Sequence, residues 1–231
     1  WALELDNLAD HPDCPETTIL GHTSKITRCL WGPVNKSLFS GSDDATLRVW
    51  SIATCKQIAS KELEAGARSV AYSPGGDLIA VGLGSAGKGG AKKGKQGLGG
   101  RFVVFQADSL SLAAEGQHPH ESVRDLKFSP DGRTLALASQ DNQVYTYDAT
   151  ENFAQRATIT ANKAFVTALD FSIEPPGYVQ TNDGALALAF ADATAGATIP
   201  QPATMRDTKW ATWTCTLGWP TRAVHGALGA A

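Results

Sequence analysis

The 231-residue chain has a net charge of −3 with 19% charged residues, a balance that excludes a generally basic nucleic-acid binder. Its length allows one large or two small domains, and no apolar run is long enough for a helical membrane span, so no nucleic-acid or membrane partner is expected. The four cysteines (14, 29, 55 and 215) lack C-x-x-C spacing, which argues against a disulfide framework and for a reducing compartment.

In chain order, Trp1 opens the sequence where Met would be expected, as in a piece of a longer protein. Trp1 is expected to close a strand whose partners lie earlier, and Thr17–Leu20 to form the next strand, with His11 and Pro12 in a polar loop between them. Residues 21–50 read as three short strands. Ile26–Trp31 alternates, Gly32-Pro33-Val34-Asn35-Lys36 supplies a turn, Ser37–Ser40 is a second strand, Gly41-Ser42-Asp43-Asp44 a second turn, and Thr46–Trp50 a third strand. A further strand follows before residue 66. Strand, turn, strand then recurs at Ser69–Gly82, with Ser73-Pro74-Gly75-Gly76-Asp77 as its turn. It recurs again at Val123–Ser139, around Ser129-Pro130-Asp131-Gly132, and at Val166–Ser172 before Glu174-Pro175-Pro176-Gly177.

An aromatic ends the first strand of each unit: Trp31, Tyr72, Phe128 and Phe171, at intervals of 41, 56 and 43. Removing the fourteen residues Gly87–Gly100 brings the long interval to 42, so one period in the low forties holds with a single insertion. That period is the mark of a β-propeller. The third strands are expected to end on Trp50, Phe105, Tyr147 and Phe190. Gly21-His22 and Trp50, about thirty residues apart, resemble a WD repeat, a four-stranded blade. The resemblance implies one hydrogen-bonded network of His22, Ser40, Asp44 and Trp50, although Ser51 stands where Asp would follow the Trp. Asp141, Tyr147 and Asp148 repeat the pattern in a later unit, but Leu137 replaces the serine. The fold class expected is all-β: a WD-repeat propeller with four recognisable blades and partial blades at both ends. Over residues 1–231 it forms one segment of a larger or tandem propeller, with an uncertain tail at 221–231.

Residues 82–100 invite a nucleotide reading. Gly82-Leu83-Gly84-Ser85-Ala86-Gly87 fits GxGxxG, and the same stretch approaches GxxxxGK[ST] with Gly89 in place of Ser/Thr. Either motif needs a helix next, to hold phosphate at its N-terminus. A glycine- and lysine-rich run without helical periodicity follows instead, so the segment reads as a flexible loop between two strands of a blade and no cofactor is expected. Lys88, Lys92, Lys93, Lys95 and Arg101 give that loop +5 without an acidic residue, against −8 for the rest of the chain. Such a loop can attract an acidic partner. His118-Pro119-His120 lacks neighbouring ligands at metal spacing, and one of these histidines is expected at the Gly-His position of its blade. The aspartates of 125–148 are expected to cap turns. No Ser/His/Asp ordering or carboxylate pair stands out, so no catalytic residue is assigned.

The C-terminal part contains Gln180-Thr181-Asn182-Asp183-Gly184 and, after Arg206-Asp207, Trp210-Ala211-Thr212-Trp213-Thr214-Cys215-Thr216-Leu217-Gly218-Trp219-Pro220. It reads as an amphipathic strand whose three tryptophans pack between blades. Together with residues 121–148 it resembles the EMAP-like (echinoderm microtubule-associated protein-like) family, over roughly residues 20–220. Trp210, Trp213, Cys215, Gly218, Trp219 and Pro220 carry the signature. The sequence departs from the family pattern at Thr221–Gly226, and it lacks the coiled coil that oligomerises some members, so oligomerisation is not carried over. The resemblance implies tandem propellers and a non-enzymatic, microtubule-associated scaffold of the cytoplasmic cytoskeleton, including cilia and flagella, with tubulin as partner. A WD-repeat adaptor unrelated to tubulin is the alternative, and a nucleotide-using enzyme built on GLGSAGK the third reading.

Overall fold

The computed structural model describes residues 21–32, 37–84 and 100–218. Within them lie four antiparallel sheets of four strands. The first contains β1 (Ile26–Trp31), β2 (Ser37–Ser42), β3 (Thr46–Ser51) and β4 (Lys56–Glu62). The second contains β5 (Ala67–Tyr72), β6 (Leu78–Leu83), β7 (Phe102–Gln106) and β8 (Leu112–Gly116). The third contains β9 (Val123–Phe128), β10 (Thr134–Ser139), β11 (Val144–Asp148) and β12 (Ala154–Ile159). The fourth contains β13 (Val166–Glu174), β14 (Tyr178–Asp183), β15 (Leu188–Asp192) and the short β16 (Lys209–Trp210). Each sheet is a blade, and the leading strands β1, β5, β9 and β13 lie successively against one another. The four blades expected from the period are present. Residues 1–20, on which the expected first partial blade falls, lie outside the described residues.

The repeated turns explain why Ser-Pro-x-Gly recurs. Gly76 and Gly132 have φ of 80° and 73°, the left-handed region that glycine enters freely. Their N–H groups donate to Ser73 O (3.0 Å) and Ser129 O (2.9 Å). Each serine hydroxyl in turn accepts the N–H that starts the next strand, from Leu78 and Thr134, both at 2.9 Å. Pro supplies the pre-set φ of the turn's second position.

The aromatic period has a packing cause. Tyr72, Ile79 and Phe105 of the second blade pack on Phe39, Leu47 and Val49 of the first. Phe128, Leu135 and Tyr147 of the third pack on Ala71, Ala80 and Val104 of the second. Phe171, Val179 and Ala191 of the fourth join Ala136, Ala138 and Val144 of the third. The second, third and fourth blades each present one apolar row to the blade before them. By register Trp50 pairs with Leu38 and Tyr147 with Leu135, while in the fourth blade Val179 pairs with Ala191. Ala191, not the expected Phe190, thus holds the Trp50 position; Phe190 points to the other face of its sheet. The short Ala191 leaves room for the close approach of the third blade's alanines.

Two ends of the blade array differ in content. One end, the loop end, carries the β2–β3, β6–β7, β10–β11 and β14–β15 turns together with the entries to β1, β5, β9 and β13. Matching backbone bonds tie these pairs: Asp43 N to Lys25 O, Gly84 N to Gly66 O, Gln140 N to Ser122 O and Gly184 N to Phe165 O.

Candidate functional site

In the first blade the predicted network forms as a closed set. His22 Nδ1 donates to Asp44 Oδ2 at 2.9 Å, Ser40 Oγ donates to His22 Nε2 at 2.7 Å, and Trp50 Nε1 donates to Ser40 Oγ at 2.7 Å. This donor order requires the proton on Nδ1, because the indole only donates and the carboxylate only accepts. Asp44 also accepts the N–H groups of Thr23 and Thr46, each at 2.9 Å, and the Thr46 hydroxyl. Burial pushes the Asp44 carboxyl up, but its bonds from Thr46, Thr23 and His22 outweigh burial and leave its pKa lowered. All polar capacity is spent internally, so the network is a structural lock.

The third blade keeps half of it. Asp141 accepts the N–H groups of His120 (2.9 Å) and Gln143 (3.1 Å) and the Tyr145 hydroxyl (2.8 Å). His120 stands in the place of Thr23, which puts Pro119 at the His22 position. Neither His118 nor His120 therefore fills the Gly-His position; Tyr145 supplies the missing donor. With Leu137 in place of the serine, the Tyr147 hydroxyl is buried without a partner among the described residues. Asp131, Asp141 and Asp148 cap turns as expected, whereas Asp125 lies inside β9, buried, with its pKa raised by burial.

The C-terminal signature is anchored on a charge that the sequence reading did not select. After a short 3-10 helix at Pro202–Met205 the chain returns as β16 to pair with β13, Ser172 facing Trp210. It then runs along the free edge of β13 as a strap. Asp170, fully buried, accepts the N–H groups of Thr214 (3.0 Å) and Cys215 (2.8 Å), the Thr212 and Thr214 hydroxyls, and Lys127 Nζ at 2.7 Å. Burial raises its carboxyl, yet the bonds from Lys127, Thr212 and Cys215 prevail and lower it. Asn182 clasps the strap's end from both sides, Nδ2 donating to Leu217 O (2.9 Å) and Oδ1 accepting from Leu217 N (2.8 Å). The two halves of the signature, Gln-Thr-Asn-Asp-Gly and Thr-Trp-Thr-Cys, are thus spatial partners. The available signal was a lone aspartate within the apolar strand Val166–Phe171, matched by hydroxyls two residues apart at Thr212 and Thr214.

The expectation that all three tryptophans pack is corrected. Trp210 is buried, stacked on Phe190 at 5.8 Å beside Met205, but Trp213 is 59% exposed because the alternation that points Thr212 and Thr214 at Asp170 turns it outward. Trp219 and Pro220 lie outside the described residues; Gly218 is buried at their border.

At the base of the insertion the glycines of the nucleotide-like motif serve packing. A Cβ on Gly82 would lie 2.6 Å from Val123 Cγ1 of the next blade, and one on Gly84 2.8 Å from Arg68 Nε. The strands on either side, β6 and β7, are antiparallel neighbours, so the segment is a hairpin connection. A dinucleotide fold requires a crossover to a parallel strand. Lys88, Lys92, Lys93 and Lys95 lie outside the described residues. Arg101 is held in place, bonded to Glu64 and, at 2.6 Å, to Glu115. Its guanidinium is paired with these two carboxylates.

Chemistry at the strap is muted. The Cys215 thiol is pushed up by burial and by the adjacent Asp170 carboxylate, which makes it a poor nucleophile. Among the described residues no group of His, Cys, Asp or Glu has the arrangement to hold a metal ion. A groove of about 520 Å³ between the third and fourth blades is lined by Asp131, Arg133, Arg156 and Ile173, but Arg156 is bonded to Asp148.

Comparison with known proteins agrees with this architecture. The WD40 repeats of RRP9 superpose with a TM-score of 0.65 at 18% identity, over 78% of this chain and 52% of that one; U3-55K gives 0.65 over 78% and 53%. These likenesses show the fold. Echinoderm microtubule-associated protein-like 2 of Rattus norvegicus is 28% identical over 204 residues, 87% of this chain and 29% of its own length. The 77 kDa echinoderm microtubule-associated protein of Strongylocentrotus purpuratus is 28% identical over 210 residues, 88% and 28% respectively. Human echinoderm microtubule-associated protein-like 1 is 28% identical over 206 residues, 86% and 23%. The chain spans less than a third of the length of these relatives. Residues 30–230 match the model of the echinoderm microtubule-associated protein second beta-propeller, and with four blades and a signature strap in place the chain belongs to that family.

Proposed function

We propose that this chain is part of a non-enzymatic, microtubule-associated scaffold of the cytoplasmic cytoskeleton, with service in cilia or flagella as its narrower setting. Family membership is the observation that carries the reading. Two features of the molecule support it. Polar residues of the blade network and the strap are consumed by internal bonds, which leaves surfaces rather than a reaction centre. The insertion at 87–100 carries four lysines and no acidic residue, a charge that suits an acidic tubulin surface through salt-sensitive attraction.

The test is co-sedimentation of the 231-residue chain with assembled microtubules at two salt concentrations. The parent chain is expected in the pellet at low salt and less so at higher salt. Changing Lys88, Lys92, Lys93 and Lys95 to Ala should move most of it to the supernatant. If the parent chain neither pellets nor binds unpolymerised tubulin, the microtubule reading fails and the general WD-repeat adaptor takes its place.

A further inference from the structure

Two positions at the loop end break the pattern of their own repeat. The residue whose carbonyl receives the first turn N–H is Lys25, Gly66 and Ser122 in the first three blades and Phe165 in the fourth. The residue in the left-handed turn conformation is Ala45 in the first blade, Asn142 in the third and Leu186 in the fourth, at φ of 61°, 71° and 61°. Leucine is disfavoured there, because its Cβ crowds the following carbonyl. It is nonetheless present, and 78% exposed, while Phe165, whose carbonyl accepts the N–H of Gly184 in the same turn, is 38% exposed. The Phe165 ring lies over Gly184, where a Cβ would sit 2.4 Å away, so the bare glycine seats it. A neighbouring blade does not cover this rim, since Asn142 is exposed although a fourth blade follows it. Strain and apolar exposure together at one site mark a position kept for contact rather than stability.

The Asp183 carboxylate of this turn is buried and spent on the amides of Lys163, Ala164, Ala185 and Ala187, and cations stand outside it. The Arg124 guanidinium stands over the Phe165 ring at 5.3 Å. Lys163 is exposed two residues before Phe165. Neither cation has a carboxylate partner among the described residues, unlike Arg101, Arg156 and Lys209.

We propose that Arg124, Lys163, Phe165 and Leu186 form a docking surface for an extended acidic peptide that carries a bulky apolar side chain. Its carboxylates meet the two unpaired cations, and its apolar side chain covers Phe165 and Leu186. The proposal does not depend on which protein carries that peptide, and so stands apart from the microtubule reading.

The measurement is fluorescence anisotropy of the 231-residue chain with a short labelled glutamate peptide bearing two adjacent leucines, and with the same peptide bearing serines instead. The leucine peptide should bind the parent chain about fivefold to tenfold more tightly, the change expected from one good apolar contact. Leu186→Asn suits the left-handed turn and should leave the melting temperature unchanged or raised, while weakening the leucine peptide by a similar factor. The double change Arg124→Gln with Lys163→Gln should weaken both peptides. Equal binding of the two peptides by the parent chain, or full binding by Leu186→Asn, overturns the proposal. So does binding lost only when Lys88, Lys92, Lys93 and Lys95 become Ala, which would assign the contact to the loop.

Discussion

His22, Ser40, Asp44 and Trp50 illustrate how much one residue carries when every polar atom is matched. Replacing His22 or Asp44 by Ala leaves buried partners unpaired and should cost about 1–3 kcal/mol, visible as a lowered melting temperature. The Asp44 carboxyl is held below its ordinary range in the folded chain. Its contribution is therefore complete above the pKa it has when unfolded, near 4, and is lost as pH falls through the lower folded value. Acid unfolding of the parent chain should show that loss, and Asp44→Asn should flatten it. A melting curve that ignores both changes would mean the network is idle. Tyr147 shows the reverse case, a hydroxyl left alone because Leu137 took the serine's place.

Among the elements, the strap after residue 206 differs most from a plain repeat. Three blades close with a fourth strand beside their third, whereas in the fourth blade β16 pairs with the leading strand, giving the order β15-β14-β13-β16. Asp170 makes this possible by offering one buried carboxylate to two backbone N–H groups, two hydroxyls and Lys127. Asp170→Ala strands Lys127 and the strap amides together, so a cost of about 3–5 kcal/mol is expected, as for breaking a buried pair. Hydrogen exchange should locate the damage, with the Thr214 and Cys215 amides losing protection before those of β2 and β3. Retained protection at those two amides would show that the strap is held by Trp210 and Asn182 instead.

Among the four described blades the first and the fourth are unequal. Phe190, Met205 and Trp210 cover the outer face of the last blade. On the first, Trp31 is 68% exposed, while its equivalents Phe128 and Phe171 are 9% and 2% exposed. The same repeat position thus has different weight according to how deeply it is buried. Phe128→Ala should cost about 3–5 kcal/mol, whereas Trp31→Ser should stay within about 0.5 kcal/mol, as at an open surface. Thermal melts of the two variants decide this. An equal loss would show that the Trp31 face is covered in solution.

By itself the sequence determined the blades. A period of about forty residues, alternating strands and Ser-Pro-x-Gly turns are local properties, written in residues close together in the chain. The first-blade network was also legible, through the resemblance of Gly21-His22 to Trp50 to a WD repeat, whose four network residues all lie within one unit. Only the tertiary structure decided the rest. Asp170 and Thr214 are 44 residues apart, and nothing local says that a carboxylate in one strand will cap amides of a strap that folds back over it. Gly82 answers to Val123 of the next blade, which strips the phosphate-loop look from the motif. Arg101 bonds to Glu64 and Glu115, 37 and 14 residues away. The apolar patch of Phe165 and Leu186 appears only when four loop ends are compared side by side. These are contacts between units, and register and burial, not spacing, set them.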